Sequence, residues 1–351
     1  MNQLSLTATG ALIVIALLHG TATPGNAQSV ETPHSETLAA IQDRGSLRCG
    51  VNPSQTGMAR QDARGRWDGM GVDLCRAIAA ATLGDPNAVD FIPVTARTRF
   101  TSLQSGEIDM LSRTTTWTFS RDTTQGVDFI GPYFIEVESV MVRADTGITS
   151  VAELDGQPVC AVTGSLTETV LRNYQAQLGI EIEFVPVTGT EDYARAYESG
   201  RCIGVADGKA GLEALRAAQI DADGHRALDE QLALSPLSLA VRHGDDKWDD
   251  IVQWTFNALA TAERLEVTQA NVQRLSIESR HPIIRRMISD DGGSGALLGL
   301  ESNWALRAIQ AVGNLGEIYD RAFGPGSALP IDRGRSALWQ DGGMIFPAPF
   351  E

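Results

Sequence analysis

The chain lacks a basic run, a membrane-length apolar stretch, and any two cysteines at CxxC spacing. The first absence, with a formal net charge of −16, argues against nucleic acid, whose affinity comes mainly from Lys and Arg at phosphates. No polybasic segment suggests a membrane surface either. The only long apolar run, Ala11-Leu12-Ile13-Val14-Ile15-Ala16-Leu17-Leu18, is too short to span a bilayer, so the mature protein is expected to be soluble. Cys49, Cys75, Cys160 and Cys202 lie too far apart for a zinc pattern, and no metal or cofactor is expected. The histidines are few. His19 sits in the N-terminal apolar segment, and those at 34, 225, 243 and 281 fall in polar or loop segments with no Ser–His–Asp grouping.

Charge is also missing from residues 1–27, which hold no Lys, Arg, Asp or Glu. The apolar run followed by Pro24-Gly25-Asn26-Ala27 reads as a secretory signal peptide with cleavage after Ala27. The absent positive start departs from that pattern, and the alternative is a disordered or anchored N-terminus. In an oxidising compartment four cysteines suggest two disulfides, with three connectivities open. If each half of the chain forms its own lobe, the pairs are Cys49–Cys75 and Cys160–Cys202. Free buried cysteines are the alternative.

The remaining 324 residues have room for two domains or one large one. A helix over 38–44 stops at Gly45, and Leu47-Arg48-Cys49-Gly50-Val51 is a strand. Residues 69–83 place Val72, Cys75, Ile78, Ala79 and Thr82 near one helical face. Strand 91–94, helix 99–105 and strand 108–112 follow. The alternation predicts a parallel sheet with right-handed crossovers. The same grammar repeats from Val151: strand 158–162, a helix from Thr163 toward Leu178, strand 182–187, helix 191–199, and strand 202–207 ending on Asp207. Segments 134–143 and 237–242 read as extended crossings between two lobes. After Asp246 a helix carries Trp248, Ile251, Trp254 and Leu259. From about 265 onward the pattern is less regular, with one apolar helical stripe from Trp304 to Tyr319 read as packing.

One stretch carries chemistry. Thr114-Thr115-Thr116-Trp117-Thr118-Phe119-Ser120-Arg121 follows the third strand. Hydroxyls, free N–H groups at a strand end and one guanidinium suit a small carboxylate, because arginine presents a planar fork that matches it. The plainer reading is a capped helix start with a surface arginine. Ligands in open α/β sheets sit beyond the carboxyl ends of strands, which is where Thr114–Arg121 and Asp207 fall.

These segments resemble periplasmic solute-binding proteins for polar amino acids, of the general L-amino-acid ABC transporter type (extracellular solute-binding protein family 3). The resemblance covers nearly all of the mature chain. It rests on Arg44-Gly45-Ser46-Leu47-Arg48-Cys49-Gly50-Val51-Asn52, Asp73-Leu74-Cys75-Arg76-Ala77, Arg99-Phe100-Thr101-Ser102-Leu103-Gln104-Ser105-Gly106-Glu107 and Thr115-Thr116-Trp117-Thr118 with Ser120-Arg121-Asp122. It continues through Val162-Thr163-Gly164, Ser199-Gly200-Arg201-Cys202, Val241-Arg242-His243-Gly244-Asp245-Asp246, Gly313-Asn314-Leu315-Gly316-Glu317-Ile318 and Ala337-Leu338-Trp339. The resemblance implies a type II periplasmic-binding-protein fold, α/β, with parallel-sheet lobes joined by two crossover strands. Residues 38–137 and 242–351 would form lobe 1 with a C-terminal extension, and 138–241 lobe 2.

It also implies that Arg121 grips a ligand α-carboxylate, helped by the Thr116 backbone N–H, and that Thr114 oxygens face the α-ammonium. Gly164 and Ser165 would complete the carboxylate cage from a helix start, and Asp207 would pair with the ammonium. The four cysteines match those of the subfamily, consistent with the pairing within lobes. The implied function is capture of free L-amino acids in the periplasm and delivery to an ABC transporter permease in the inner membrane, by a monomer.

Three departures bear on ligand preference. Leu166 replaces a hydroxyl residue, Gly208-Lys209 replaces a Gln-Ser pair, and the loop 52–58 lacks an aromatic. Arg113 is either a surface charge or a group beside the ligand side chain that would favour Asp or Glu. Trp117 reads as lobe packing. Two other classes stay in view: a periplasmic dehydratase-type enzyme on the same fold, with Glu168 as the nearest candidate acid, and a ligand-sensing receptor component.

Overall fold

The computed structural model describes residues 34–219, 221–289 and 293–351. The expected signal peptide and its cleavage site at Ala27 lie outside them. Helix α1 (Glu36–Arg44) starts where the Ser35 hydroxyl accepts the Leu38 N–H and ends at Gly45. Strand β1 (Leu47–Val51) then enters the sheet, and a small hairpin sheet follows: β2 (Ser54–Gln55), β3 (Ala59–Gln61) and β4 (Trp67–Asp68). Helix α2 (Met70–Leu83), β5 (Val89–Pro93), α3 (Arg99–Gln104) and β6 (Met110–Thr116) complete the first α/β repeat. Strand β1 pairs in parallel with β5 and β6, as the alternation predicts.

After α4 (Phe119–Thr124) comes β7 (Val127–Arg143), a 17-residue strand. It begins earlier than sequence patterning suggests. The second repeat is β8 (Pro158–Val162), α5 (Leu166–Leu178), β9 (Glu183–Val187), α6 (Thr190–Glu198), β10 (Gly204–Gly208) and α7 (Lys209–Ala218). Strand β8 pairs in parallel with β9 and β10. Strands β11 (His225–Ala227) and β12 (Ala233–Arg242) return, β11 along β7 and β12 between β6 and β7.

The sheet order is β5-β1-β6-β12-β7-β10-β8-β9. Two parallel groups are therefore linked through the antiparallel pair β7 and β12, the two crossover strands. Their cores are separate. One holds Leu47, Val72, Ile78, Met110, Trp248 and Phe256. On the other side, Val140, Val159 and Leu171 pack on one sheet face, and Cys160, Val205 and Leu212 on the other. Disulfides Cys49–Cys75 and Cys160–Cys202 each staple one group.

The C-terminal section is more regular than its sequence suggests. Helix α8 (Asp246–Arg264) is followed by α9 (Val272–Glu278), α10 (Pro282–Ile288), α11 (Ser294–Leu298), α12 (Trp304–Val312) and α13 (Leu315–Phe323). The single stripe expected over 304–319 is in fact two helices. Gly313 breaks it, and Asn314 with Glu317 forms a reciprocal capping box that starts α13. Trp304, Ile309, Ile318 and Phe323 are all buried in the first core. No helix among the described residues is long and apolar enough to cross a membrane.

Candidate functional site

One cleft lies at the carboxyl ends of the strands, between the two parallel groups. Thr114, Thr116, Arg121, Ser165 and Asp207 all line it. Gly164 touches it through its carbonyl, which accepts from Arg121 Nη2 at 3.4 Å. The space is about 70 Å³, room for a small polar solute.

The first wall comes from β6 and α4. Thr114 to Thr116 are the last residues of β6 and not a turn after it, since β6 runs on beyond Ser112 to pair with β12. At Thr114 φ is +24°, a conformation L side chains rarely adopt, with a penalty of about 1–3 kcal/mol held by its surroundings. Its hydroxyl donates to Gln55 Oε1 at 3.2 Å, and Asn52 Nδ2 donates to the same oxygen at 2.9 Å. Polar side chains thus occupy the loop that lacks an aromatic. Thr118 caps α4 by accepting the Arg121 N–H. Arg121 Nη1 donates to the Thr116 carbonyl at 3.0 Å, which fixes the guanidinium at the cleft. Desolvation lowers the Arg121 pKa.

The opposite wall is acidic. Asp207 is the penultimate residue of β10, where Gly208 N–H donates to its Oδ1 and Tyr193 Oη to its Oδ2, each at 2.9 Å. Burial, then repulsion from Glu138, pushes its carboxyl up to about 6. Glu136 and Glu138 project from the crossover strand β7 into the same cleft. Both oxygens of Glu138 are held by the Thr167 and Ser235 hydroxyls. Glu136 Oε1 accepts the Ala210 and Val137 N–H groups, and burial pushes its carboxyl up to about 8. Glycine at 208 and 211 allows this crowding. A Cβ at 208 would lie 2.3 Å from Glu136 Cγ, and one at 211 would lie 2.4 Å from Asp207 Oδ2. The departure at 208 from the usual glutamine is thereby explained, because Glu136 fills that space.

The α5 start differs in detail from expectation. Ser165 Oγ caps the helix by accepting the Glu168 N–H at 3.0 Å, and Gly164 N–H donates to Glu168 Oε2 at 2.9 Å. The donors left at this turn are the Leu166 and Thr167 amides, in the first helical turn where no intrahelical acceptor exists. Both residues line the cleft. Glu168 itself pairs with Arg172 and does not line the cleft, so it is not placed as an acid there. Lys209 is exposed and Trp117 stacks on Phe129, both away from the cleft lining.

Sequence reasoning missed Arg99, Glu136, Glu138 and Thr167. A signal for the two glutamates was present: acids at alternate positions in the otherwise apolar Phe134-Ile135-Glu136-Val137-Glu138. The walls also touch directly. Ser54 Oγ and Thr190 Oγ1 are 2.8 Å apart across the cleft mouth. Among the described residues no cluster of side chains is arranged to hold a metal.

A cleft with guanidiniums on one wall and carboxylates on the other, between two α/β groups joined by two strands, is the frame of a solute-binding protein. The chain belongs to the bacterial extracellular solute-binding proteins, family 3, which matches residues 47–271. It is 41% identical over 315 residues to the general L-amino acid-binding periplasmic protein AapJ of Rhizobium johnstonii, covering 89% of this chain and 92% of that one. It is 38% identical to the glutamate/glutamine/aspartate/asparagine-binding protein BztA of Rhodobacter capsulatus, covering 90% and 94%. An ABC transporter periplasmic binding protein from Brucella ovis, solved with glutathione bound, superposes with a TM-score of 0.85 at 40% identity, covering 90% and 99%. These relatives are binding proteins, which favours the binding role over the dehydratase alternative.

Proposed function

We propose that this protein captures free L-amino acids in the periplasm and delivers them to the permease of an ABC transporter. The observation that carries this reading is the pairing of opposite walls: Arg121 faces the cleft from one side, Asp207 from the other. A zwitterion has one charge for each. Arg121 and the Leu166 and Thr167 amides take the α-carboxylate. Asp207, with Thr114 beside it, takes the α-ammonium. With its two charged ends fixed, the ligand can vary its side chain. The names of AapJ and BztA support this ligand class. Glutathione, the ligand of the Brucella ovis relative, itself carries a free ammonium and carboxylate on one carbon.

Lobe 1 comprises 38–137 and 242–351, lobe 2 comprises 138–241, and β7 and β12 hinge them shut over the ligand. The mature protein begins after Ala27 and works as a monomer. Titration calorimetry of the mature protein against the common L-amino acids and glutathione tests the reading. Binding of one or more is expected; a protein silent to all of them refutes it.

A further inference from the structure

We propose that the segment after α13 is a latch that crosses the hinge. Arg335 holds Gln231 of lobe 2 while the cleft is shut, and Arg333 and Ser336 fix the latch to lobe 1, so that it slows the release of any bound amino acid. This rests on the two-lobe, amino-acid-binding reading above and adds to it a residue pair outside the cleft.

Residues after 271 lie beyond the family match, yet they pack on the crossover strand β7. Phe134 stacks on Tyr319 at 6.1 Å and meets Phe323 at 5.4 Å, both on α13. The next residue, Ile135, is opposite Pro236 of β12 on one edge. On the other edge β10 reaches along β7 only as far as Glu138, so Ile135 finds no strand partner there. Buried backbone groups need partners, and the Ser336 hydroxyl supplies both. It accepts the Ile135 N–H at 2.9 Å and donates to the Ile135 carbonyl at 3.4 Å. Arg333 locks that turn to lobe 1. Its two terminal nitrogens bond the two carboxylate oxygens of Glu263 on α8, its Nε donates to the Ser336 carbonyl at 3.2 Å, and its guanidinium lies over the Tyr319 ring.

The far end of the latch is tied to lobe 2. Arg335 Nη1 donates to Gln231 Oε1 at 3.1 Å. Gln231 lies in the turn between β11 and β12, and lobe 2 holds that turn on both sides of it. The Val151 N–H donates to Glu230 Oε1 and the Leu232 N–H to the Glu138 carbonyl, each at 2.9 Å. The cleft itself is shut, with Ser54 against Thr190 across its mouth and Arg121 against the Gly164 carbonyl. A contact between groups fixed to different lobes changes when the lobes part, so the Arg335–Gln231 bond counts toward the shut arrangement. None of Gln231, Arg333, Arg335 and Ser336 lines the cleft, so the effect is independent of the ligand side chain.

Stopped-flow fluorescence of the mature protein with the common L-amino acids reads the release rate directly. Arg335→Ala and Gln231→Ala should each speed release by about two- to fivefold, the scale of one hydrogen bond, and by the same factor for every amino acid that binds. The double variant should be no faster than either single one, because the second change removes nothing further. Both side chains are exposed, so the melting temperature should hardly move. Ser336→Ala should speed release as well, and Ser336→Thr, which keeps the hydroxyl, should restore the wild-type rate. If the Ser336 variants do not fold, the exposed pair carries the decision. Unchanged release in Arg335→Ala overturns the latch, as do factors that multiply in the double variant or that differ among amino acids. A wild type that binds none of the amino acids refutes the parent reading, and the latch falls with it.

Discussion

Tyr193 donates its phenolic hydroxyl to Asp207 Oδ2 at 2.9 Å, from a helix that precedes the aspartate's strand. The bond aims the carboxylate at the cleft and offsets part of the burial that raises its pKa. Tyr193 is 2% exposed, so its ring also packs in the core behind the site.

Asp207→Ala should abolish the ammonium contact and weaken amino-acid binding by about 3–5 kcal/mol, the loss expected when one partner of a buried pair is removed. The fold should survive, and circular dichroism with calorimetry separates the two effects. Unchanged affinity in a folded variant would leave Asp207 as a strand-end turn residue.

Binding should also depend on pH in one direction. Asp207 sits near 6 in the free protein, and only its ionised form attracts an ammonium. Affinity should drop by up to about tenfold per unit below 6, by one-proton linkage, whereas a change above about pH 7 belongs to Glu136, whose carboxyl is pushed up to about 8 in the same cleft. A flat profile down to pH 4.5 would remove Asp207 from the site.

Arg121→Lys keeps the charge but loses the fork that bonds the Thr116 carbonyl and faces the cleft. Binding of every amino acid should fall by about 1.5–3 kcal/mol, the range for hydrogen bonds to charged groups. Calorimetry on glycine, with no side chain to compensate, gives the cleanest reading.

Glu136→Gln should stabilise the ligand-free protein. A carboxyl raised from its unfolded value to about 8 contributes stability that is full below the unfolded value and lost as pH rises through 8. The glutamine keeps a carbonyl for the Ala210 and Val137 N–H groups. A gain of about 1–3 kcal/mol at pH 7.5, shrinking toward pH 5, should appear in thermal melts as a pH-dependent difference from wild type. A difference that does not change with pH would mean Glu136 is not the group responsible.

The disulfides should matter separately. They close chain separations of 26 and 42 residues, for about 3.5 and 4 kcal/mol in the chain-entropy treatment. Cys49→Ala with Cys75→Ala, and the equivalent pair at 160 and 202, should each lower the melting temperature. Non-reducing peptide mapping should show no crossed species between the two groups.

Much of the architecture was legible in the residues themselves. Alternating strand and helix patterns and the glycine after α1 are local signals that hold because each depends on neighbours a few residues away. The position of Asp207 near a strand end and of Arg121 after a threonine-rich segment were legible for the same reason, but that the threonines continue the strand was not. What only the tertiary structure decided are the meetings across long separations. Glu136 and Glu138 read as ordinary polar positions in an extended segment until β7 carries them beside a residue about seventy positions away. Arg99 reads as a helix-start charge until α3 buries it against the cleft, its guanidinium over the Phe100 ring and its Nε without a hydrogen bond. At the start of α5, whether the Gly164 N–H stays free depends on where the Glu168 side chain folds back. Local sequence sets which elements form. Which charges face one another depends on how those elements pack, and so on the balance of burial, repulsion and hydrogen bonding in the assembled cleft.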